Sequence, residues 1–179
     1  MQEAPAKNPT GFNLKFGTYE QAKAMIGTRS DVLFADTEVN APMIRYYAAL
    51  LEDANPSYWD EDFARQAWGG IPSPPGMLMS WLMPLPWKPS GRADAPLLAT
   101  QVPLPGDTLI NVSTETEYFR PIRAGDLLSV TDEVKDVTRE KQTRLGKGHF
   151  ITTVATFRDQ KGQVVAKNTN VMFRFSFGS

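Results

Sequence analysis

The hydropathy pattern changes period midway along the chain, and that change constrains the fold more than any other feature. From Leu109 onward, apolar and polar residues alternate with period two, the spacing of strands with one packed face. Four strands are predicted: Leu109–Phe119, Leu127–Val137, His149–Phe157 and Val164–Phe177. Leu128, Val130 and Val134 share one face of the second. Val165, Val171, Phe173, Phe175 and Phe177 alternate along the fourth. Gly125-Asp126 and Lys161-Gly162 mark turns between them. Upstream, the spacing is helical. Helices first and long strands last predict an α+β fold with an antiparallel sheet.

The helical part has legible ends. Tyr19–Ile26 reads as a short helix stopped by Gly27, and Val32–Val39 as a short strand or extended segment. Asn40 is a good N-cap, and Pro42 falls in the first turn, where its missing N–H costs nothing. Met43, Ile44, Tyr47, Ala48 and Leu51 then recur at helical spacing up to about Asp53, where Asn55-Pro56 disfavours continuation. Asp60–Trp68 reads as a further short helix ended by Gly69-Gly70. Met77–Met83 (M-L-M-S-W-L-M) follows Pro74-Pro75-Gly76 and is apolar all round, which predicts a buried helix that the sheet wraps. Pro84 and Pro86 end it, and the Pro-rich stretch to Pro105 is expected to be an irregular loop. Residues 1–18 form an N-terminal arm and 19–179 a single domain.

Composition removes several classes of function. A net charge of −1 gives no basic footprint for nucleic acid. No apolar run reaches membrane-spanning length, and the N-terminus lacks the basic and apolar regions of a secretory signal, so a cytoplasmic protein is expected. The absence of cysteine removes disulfides, thiolate catalysis and thiolate metal sites. With a single histidine, His149, and no dense carboxylate cluster, no metal site is predicted. His149 opens a strand and reads as a surface or packed histidine.

The segment Tyr47–Gly76 carries a more specific signal. It reads Y-A-A-L-L-E-D-A-N-P-S-Y-W-D, and, after a gap, G-G-I-P-S-P-P-G. This resembles the hydratase motif of the MaoC-like hot-dog hydratases and dehydratases, and more closely their FAS1-like dehydratase branch. Y-F-R-P-I-R-A-G-D-L-L (Tyr118–Leu128) and Q-K-G-Q-V-V-A (Gln160–Ala166) are similar to the family's Arg-Pro turn leading to Gly-Asp and to its last hairpin. Together the resemblance spans roughly residues 20–177. It implies a single hot-dog fold, an antiparallel sheet wrapped around a central apolar helix.

The family's catalytic pattern is an Asp, an Asn-Pro and a His five residues after the Asp. Asp53, Asn55 and Pro56 match it, but the His position holds Tyr58. The resemblance implies that an Asp/His pair activates a water for addition to an α,β-unsaturated acyl thioester. That work needs a group titrating near neutrality, which His supplies and Tyr, near 10, does not. Tyr58 is left as a hydrogen-bond donor, or as a base only if its pKa is strongly depressed. The plainer reading makes Asp53 and Asn55 caps of the turn and Tyr58 a packed residue. Gly76 matches the residue whose N–H polarises the thioester carbonyl in the family, and a helix N-terminus suits that role. The plainer reading makes Pro75-Gly76 a turn. Met77, Met79, Trp81, Leu82, Met83 and Trp87 either line an acyl tunnel or pack as core. Lys135, Arg139, Lys141, Arg144 and Lys147 could meet the phosphates of coenzyme A. Asp132, Glu133, Asp136 and Glu140 among them read instead as an ordinary solvated hairpin.

The resemblance implies a subunit of an enoyl-CoA hydratase or 3-hydroxyacyl-CoA dehydratase. This chain would shape the tunnel for a bulky, steroid-type acyl-CoA, while a small MaoC-like subunit supplies the Asp/His pair in a heterodimer or heterotetramer. No cofactor beyond the coenzyme A thioester is implied. Two other readings stand beside it. One is a homodimeric hydratase or thioesterase using Asp53, Tyr58 or Glu52. The other is an acyl-CoA binding or docking module without chemistry.

Overall fold

The period-two part of the chain folds into a fully antiparallel sheet in the computed structural model, which describes residues 13–89, 91 and 97–177. Its strands are β1 (Leu33–Phe34), β2 (Thr108–Tyr118), β3 (Ser129–Val137), β4 (Lys141–Thr143), β5 (Gly146–Arg158) and β6 (Val164–Phe175). They lie in the order β1-β3-β5-β6-β2, with β4 paired to β5. All four strands read from the sequence are present within a few residues of their expected ends. β2 forms one edge of the sheet.

The helices precede the long strands: α1 (Tyr19–Lys23), α2 (Ala41–Leu50), α3 (Pro56–Trp59), α4 (Glu61–Trp68), α5 (Leu78–Trp81) and α6 (Leu98–Gln101). A 3-10 turn, Pro75–Met77, leads into α5. The caps are those the sequence marks. Asn40 accepts from the Met43 N–H, Asp60 caps α4, and Gly69 closes α4 in the left-handed conformation (φ 76°). The α3 turn and α6 were not read as helices. Each is only four residues long and too short to show a period. Residues 1–12 of the arm lie outside the described residues. Leu14 packs in the core, and the Lys15 N–H bonds the Thr100 carbonyl at 2.9 Å, so this part of the arm belongs to the domain.

The sheet register places Val130, Phe157, Ala166 and Tyr118 in one row across the face that the helices cover. Val137, Ile151 and Met172 lie further along the same face. Two apolar clusters result. The first joins Ile44, Ala48, Tyr58, Met77, Leu78, Trp81 and Leu82 to Leu128, Phe157 and Ala166. The second joins Leu14, Ala22, Ala99, Val102 and Leu104 to Leu109, Val134, Val137 and Ile151.

One expectation about packing is corrected. Met77–Met83 is not one helix buried all round. Only the turn Pro75–Met77 and α5 form, and Pro84 ends the segment. Met77, Leu78, Trp81 and Leu82 face inward at helical spacing, while Met79 and Met83 are 49% and 72% exposed. A helix this short can present only one face to a core. In β6 the expected alternation holds, with Phe173 and Phe175 pointing away from the helices, since Arg174 and Met172 take the covered face. Those phenylalanines are nonetheless buried. Phe150, Phe173, Phe175 and Phe177 stack in a ladder with centroids 4.7–5.0 Å apart. The ladder lies over Gly148, where a Cβ would meet Phe175 at 2.8 Å and Phe173 at 2.9 Å. Among the described residues no helix is long and apolar enough to cross a membrane.

Candidate functional site

The motif residues sit where α2 ends. Glu52 adopts a left-handed backbone (φ 54°), so the chain turns sharply. The Asp53 N–H bonds the Ala48 carbonyl at 2.8 Å and the Glu52 N–H bonds that of Ala49 at 3.2 Å, a Schellman closure. The Asp53 carboxylate accepts from the Asn55 N–H at 3.0 Å, and the Asn55 side chain accepts from the Ser57 N–H at 3.0 Å, capping α3. Pro56 takes the first helical position of that turn. The Trp59 indole N–H donates to the Asp53 carbonyl at 2.7 Å. Asp53 and Asn55 therefore do the capping work that the plainer reading assigned to them.

Tyr58 projects from α3 into the core, 8% exposed. It contributes to the wall of an apolar cleft of about 480 Å³, together with Trp68, the Pro72–Pro75 segment, Leu78, Tyr118 and Phe119. Burial pushes its hydroxyl above the ordinary tyrosine range, and the Asp53 carboxylate and Tyr47 add to the shift. A tyrosine so placed keeps its proton at neutral pH. The shift runs opposite to the depressed pKa that a base role for Tyr58 would need, and the burial fits a packed residue.

The start of the central helix is tied down on both sides. The Tyr118 hydroxyl donates to the Pro75 carbonyl at 2.6 Å, joining the helix to β2. A Cβ on Gly76 would lie 2.5 Å from the Tyr47 hydroxyl. A side chain at Gly76 would therefore meet the hydroxyl end of Tyr47, so the glycine lets that ring pack close to the backbone. Of the other expected tunnel residues, Met77 and Trp81 are core. The Trp81 indole N–H donates to the Ser73 hydroxyl at 2.8 Å, while Met79, Met83 and Trp87 offer accessible surface.

The structure adds residues whose roles the sequence did not reveal. Arg120, beside the cleft, donates to Asp126 at 2.8 and 3.1 Å and to Asp159 at 2.7 Å. This explains the R-P…G-D pattern, because Asp126 also accepts from the Arg123 N–H at 2.8 Å and so closes the turn. The signal was in the sequence, but no spacing rule pairs residues 120 and 159. His149 is buried and packed, with Nδ1 2.9 Å from the Thr138 carbonyl and its ring stacked on Tyr19. In the hairpin region, Lys135 pairs with Glu133, and Lys141 lies over the Phe150 ring.

Comparison with known proteins agrees with this architecture. Residues 24–168 match the family described as FAS1-like, dehydratase domain region. A probable enoyl-CoA hydratase alpha subunit from Thermomonospora curvata is 34% identical over 143 residues, 76% of this chain and 45% of that protein. The 3-oxo-4,17-pregnadiene-20-carboxyl-CoA hydratase alpha subunit from Mycobacterium tuberculosis is 34% identical over 116 residues, 63% of this chain and 37% of that protein. The chain thus spans less than half the length of these two relatives. Among solved structures, the ChsH1–ChsH2 complex from Mycobacterium tuberculosis superposes with a TM-score of 0.69 and 26% identity, covering 89% of this chain and 90% of that one. An (R)-hydratase from A. caviae, 23% identical with a TM-score of 0.56, shares the fold. On the family match over most of its length, this chain belongs to the FAS1-like dehydratase domain family.

Proposed function

We propose that this chain is the non-catalytic half of a heteromeric enoyl-CoA hydratase, shaping the acyl site while a small MaoC-like partner carries the Asp/His pair. One observation carries the reading. The residue at the general-base position is Tyr58, a tyrosine that is buried and whose hydroxyl burial pushes above its ordinary range. In the reaction, the partner's base takes a proton from water. The oxygen bonds the β-carbon of the enoyl thioester, and a proton is delivered to the α-carbon. In this reading the Asp53–Tyr58 turn lacks the histidine that starts that sequence, and its Asp53 carboxylate caps the turn instead. Names of relatives as alpha subunits and the likeness to a two-component complex support a heteromer. Met79, Met83 and Trp87 are the tunnel-facing candidates, and a bulky steroid-type acyl group is the substrate class that the name of one relative supports. The scheme needs no cofactor besides the coenzyme A thioester.

The test compares the chain alone, the assembled complex and two variants. The chain alone is expected to leave enoyl-CoA unhydrated. In the complex, Tyr58→Phe is expected to lower kcat by less than about threefold, whereas removing the partner's base costs roughly 10²–10⁴-fold. A loss of that size from Tyr58→Phe in a folded complex would show that this subunit does its own chemistry.

A further inference from the structure

The β4–β5 hairpin carries charge that the fold leaves unspent. Residues 139–147 hold Arg139, Lys141, Arg144 and Lys147 against Glu140 alone, in a chain of net charge −1. The carboxylates interleaved with them in sequence are committed elsewhere. Glu133 takes Arg29 at 3.0 Å and also Lys135, and Asp132 is bonded to Thr153. Arg139, Arg144 and Lys147 are exposed and have no ion-pair partner among the described residues. The register divides the hairpin between the two faces of the sheet. Lys141 pairs with Gly148, which pairs with Phe175 on the outward face, and its ammonium lies 5.7 Å from the Phe150 ring centroid. Lys147 stands two residues before His149, whose row runs through Arg174 to Leu109 in the core under the helices. Lys147 is therefore on the helix side of the sheet, where the cleft also lies. Arg144 is beside it in the two-residue turn.

The hairpin is far from the cleft of its own chain. Gly148 is level, through Phe175, with Thr108 at the start of β2, whereas Tyr118 of the cleft closes that strand. Ten strand residues separate the two ends, about 34 Å. A partner unit of the same fold changes the geometry. β2 is an open edge of the sheet, and a partner strand paired antiparallel there runs the opposite way. The end of the partner's strand, with the cleft at that end, then lies beside the start of β2. The hairpin stands on β5, two strands in from the same edge, about 10 Å away.

We propose that Arg139, Arg144 and Lys147 form a phosphate subsite for the nucleotide end of a coenzyme A thioester whose acyl end reacts in the partner's cleft. This rests on the heteromeric reading proposed above and gives this subunit a second task besides shaping the acyl site. Arginine and lysine side chains donate and cannot accept, and ionised phosphate oxygens accept. The nucleotide end of such a ligand stays at the solvent rim, where long side chains reach it without a closed pocket. Lys141 takes no part, because it lies on the opposite face.

The test uses the assembled complex and two enoyl thioesters with the same acyl group, one of coenzyme A and one of pantetheine, which lacks the nucleotide phosphates. The complex is expected to favour the coenzyme A thioester in KM, and that preference should weaken as salt rises. Arg144→Gln and Lys147→Gln should each shrink the preference by about two- to fivefold, the worth of one exposed charge pair. Lys141→Gln removes the same charge from the other face of the same hairpin and should shrink it by less than about 1.5-fold. The same preference read as Kd with saturated, unreactive thioesters decides the subsite even if the complex hydrates nothing. Failure of the hydratase reading therefore stays separate from failure of this one. A preference that survives Arg144→Gln with Lys147→Gln, or that Lys141→Gln lowers equally, would overturn the proposal. So would a weakened heteromer with the preference intact, which would assign the hairpin to subunit contact. A chain that forms no heteromer would overturn both readings together.

Discussion

Glu52 holds the single left-handed backbone among the described non-glycine residues, and it does so beside the carboxylate that the family uses for chemistry. Left-handed geometry costs a side-chain-bearing residue about 1–2 kcal/mol, and glycine returns about half of that advantage as chain entropy. Glu52→Gly is therefore expected to stabilise the protein by roughly 0.5–1 kcal/mol, read from chemical denaturation. The same variant addresses the carboxylate left open in the sequence reading. If Glu52 were a base, the variant would be more stable and inactive in the complex. Arg174 shows the opposite case, a residue whose role no pattern foretold. It occupies a polar position in an alternating strand, yet it is fully buried. It donates to the carbonyls of Gly106 (2.6 Å), Lys15 (3.2 Å) and Leu104 (3.3 Å) and lies 5.1 Å from the Phe16 ring centroid. Burial lowers its pKa to about 10, against the pull of Asp107. Its partners are backbone groups far away in sequence, which leave no trace in side-chain spacing.

Among the elements, strands were legible because alternation repeats over nine or more residues in β2, β3, β5 and β6. The central helix was legible in place but not in shape, since composition cannot say which face of M-L-M-S-W-L-M turns outward. Its start was marked by Gly76, but the reason for the glycine, Tyr47, became visible only in three dimensions. Gly76→Ala should cost about 1–3 kcal/mol by overpacking. In a Tyr47→Phe background the nearest remaining atom is the ring carbon at 3.5 Å, an ordinary contact, and the cost should drop below about 1 kcal/mol. Thermal melts of the four proteins in this cycle check the coupling. The Arg-Pro turn carries its own pH signature. Burial alone would raise the Asp159 carboxyl. The Arg120 guanidinium and the N–H groups of Gln163 and Lys161 outweigh that and hold it below the usual carboxylate range. A depressed carboxylate stabilises the fold fully above its unfolded pKa, about 3.9, and loses that stabilisation as pH falls through the folded value. Urea midpoints of the native protein should therefore drop steeply below about pH 4. Asp159→Asn should start lower at neutral pH and fall less.

At the scale of the whole molecule, the incomplete feature is the β2 edge. From Asn111 to Phe119 nearly every residue is exposed on both faces, including Val112 at 51% and Phe119 at 50%. Long exposed edges invite pairing, and folded proteins cover or blunt them. Glu115 and Glu117 blunt one face of this edge, but the apolar residues toward either end remain uncovered. If the Asp53–Tyr58 turn supplies no base, as proposed above, two copies of this chain would leave both sites without one, which favours an unlike partner. Co-expression with a His-bearing hot-dog partner is expected to give a stable heteromer by light scattering, while the chain alone self-associates. Val112→Lys with Phe119→Asp should weaken the heteromer by at least about tenfold in Kd, since buried unpaired charges cost several kcal/mol. The same changes on an exposed edge should shift the melting temperature of the isolated chain by only a few degrees. A heteromer of unchanged affinity in that variant would move the interface away from β2, to the outward face of α2, where Met43, Tyr46 and Leu50 are also exposed.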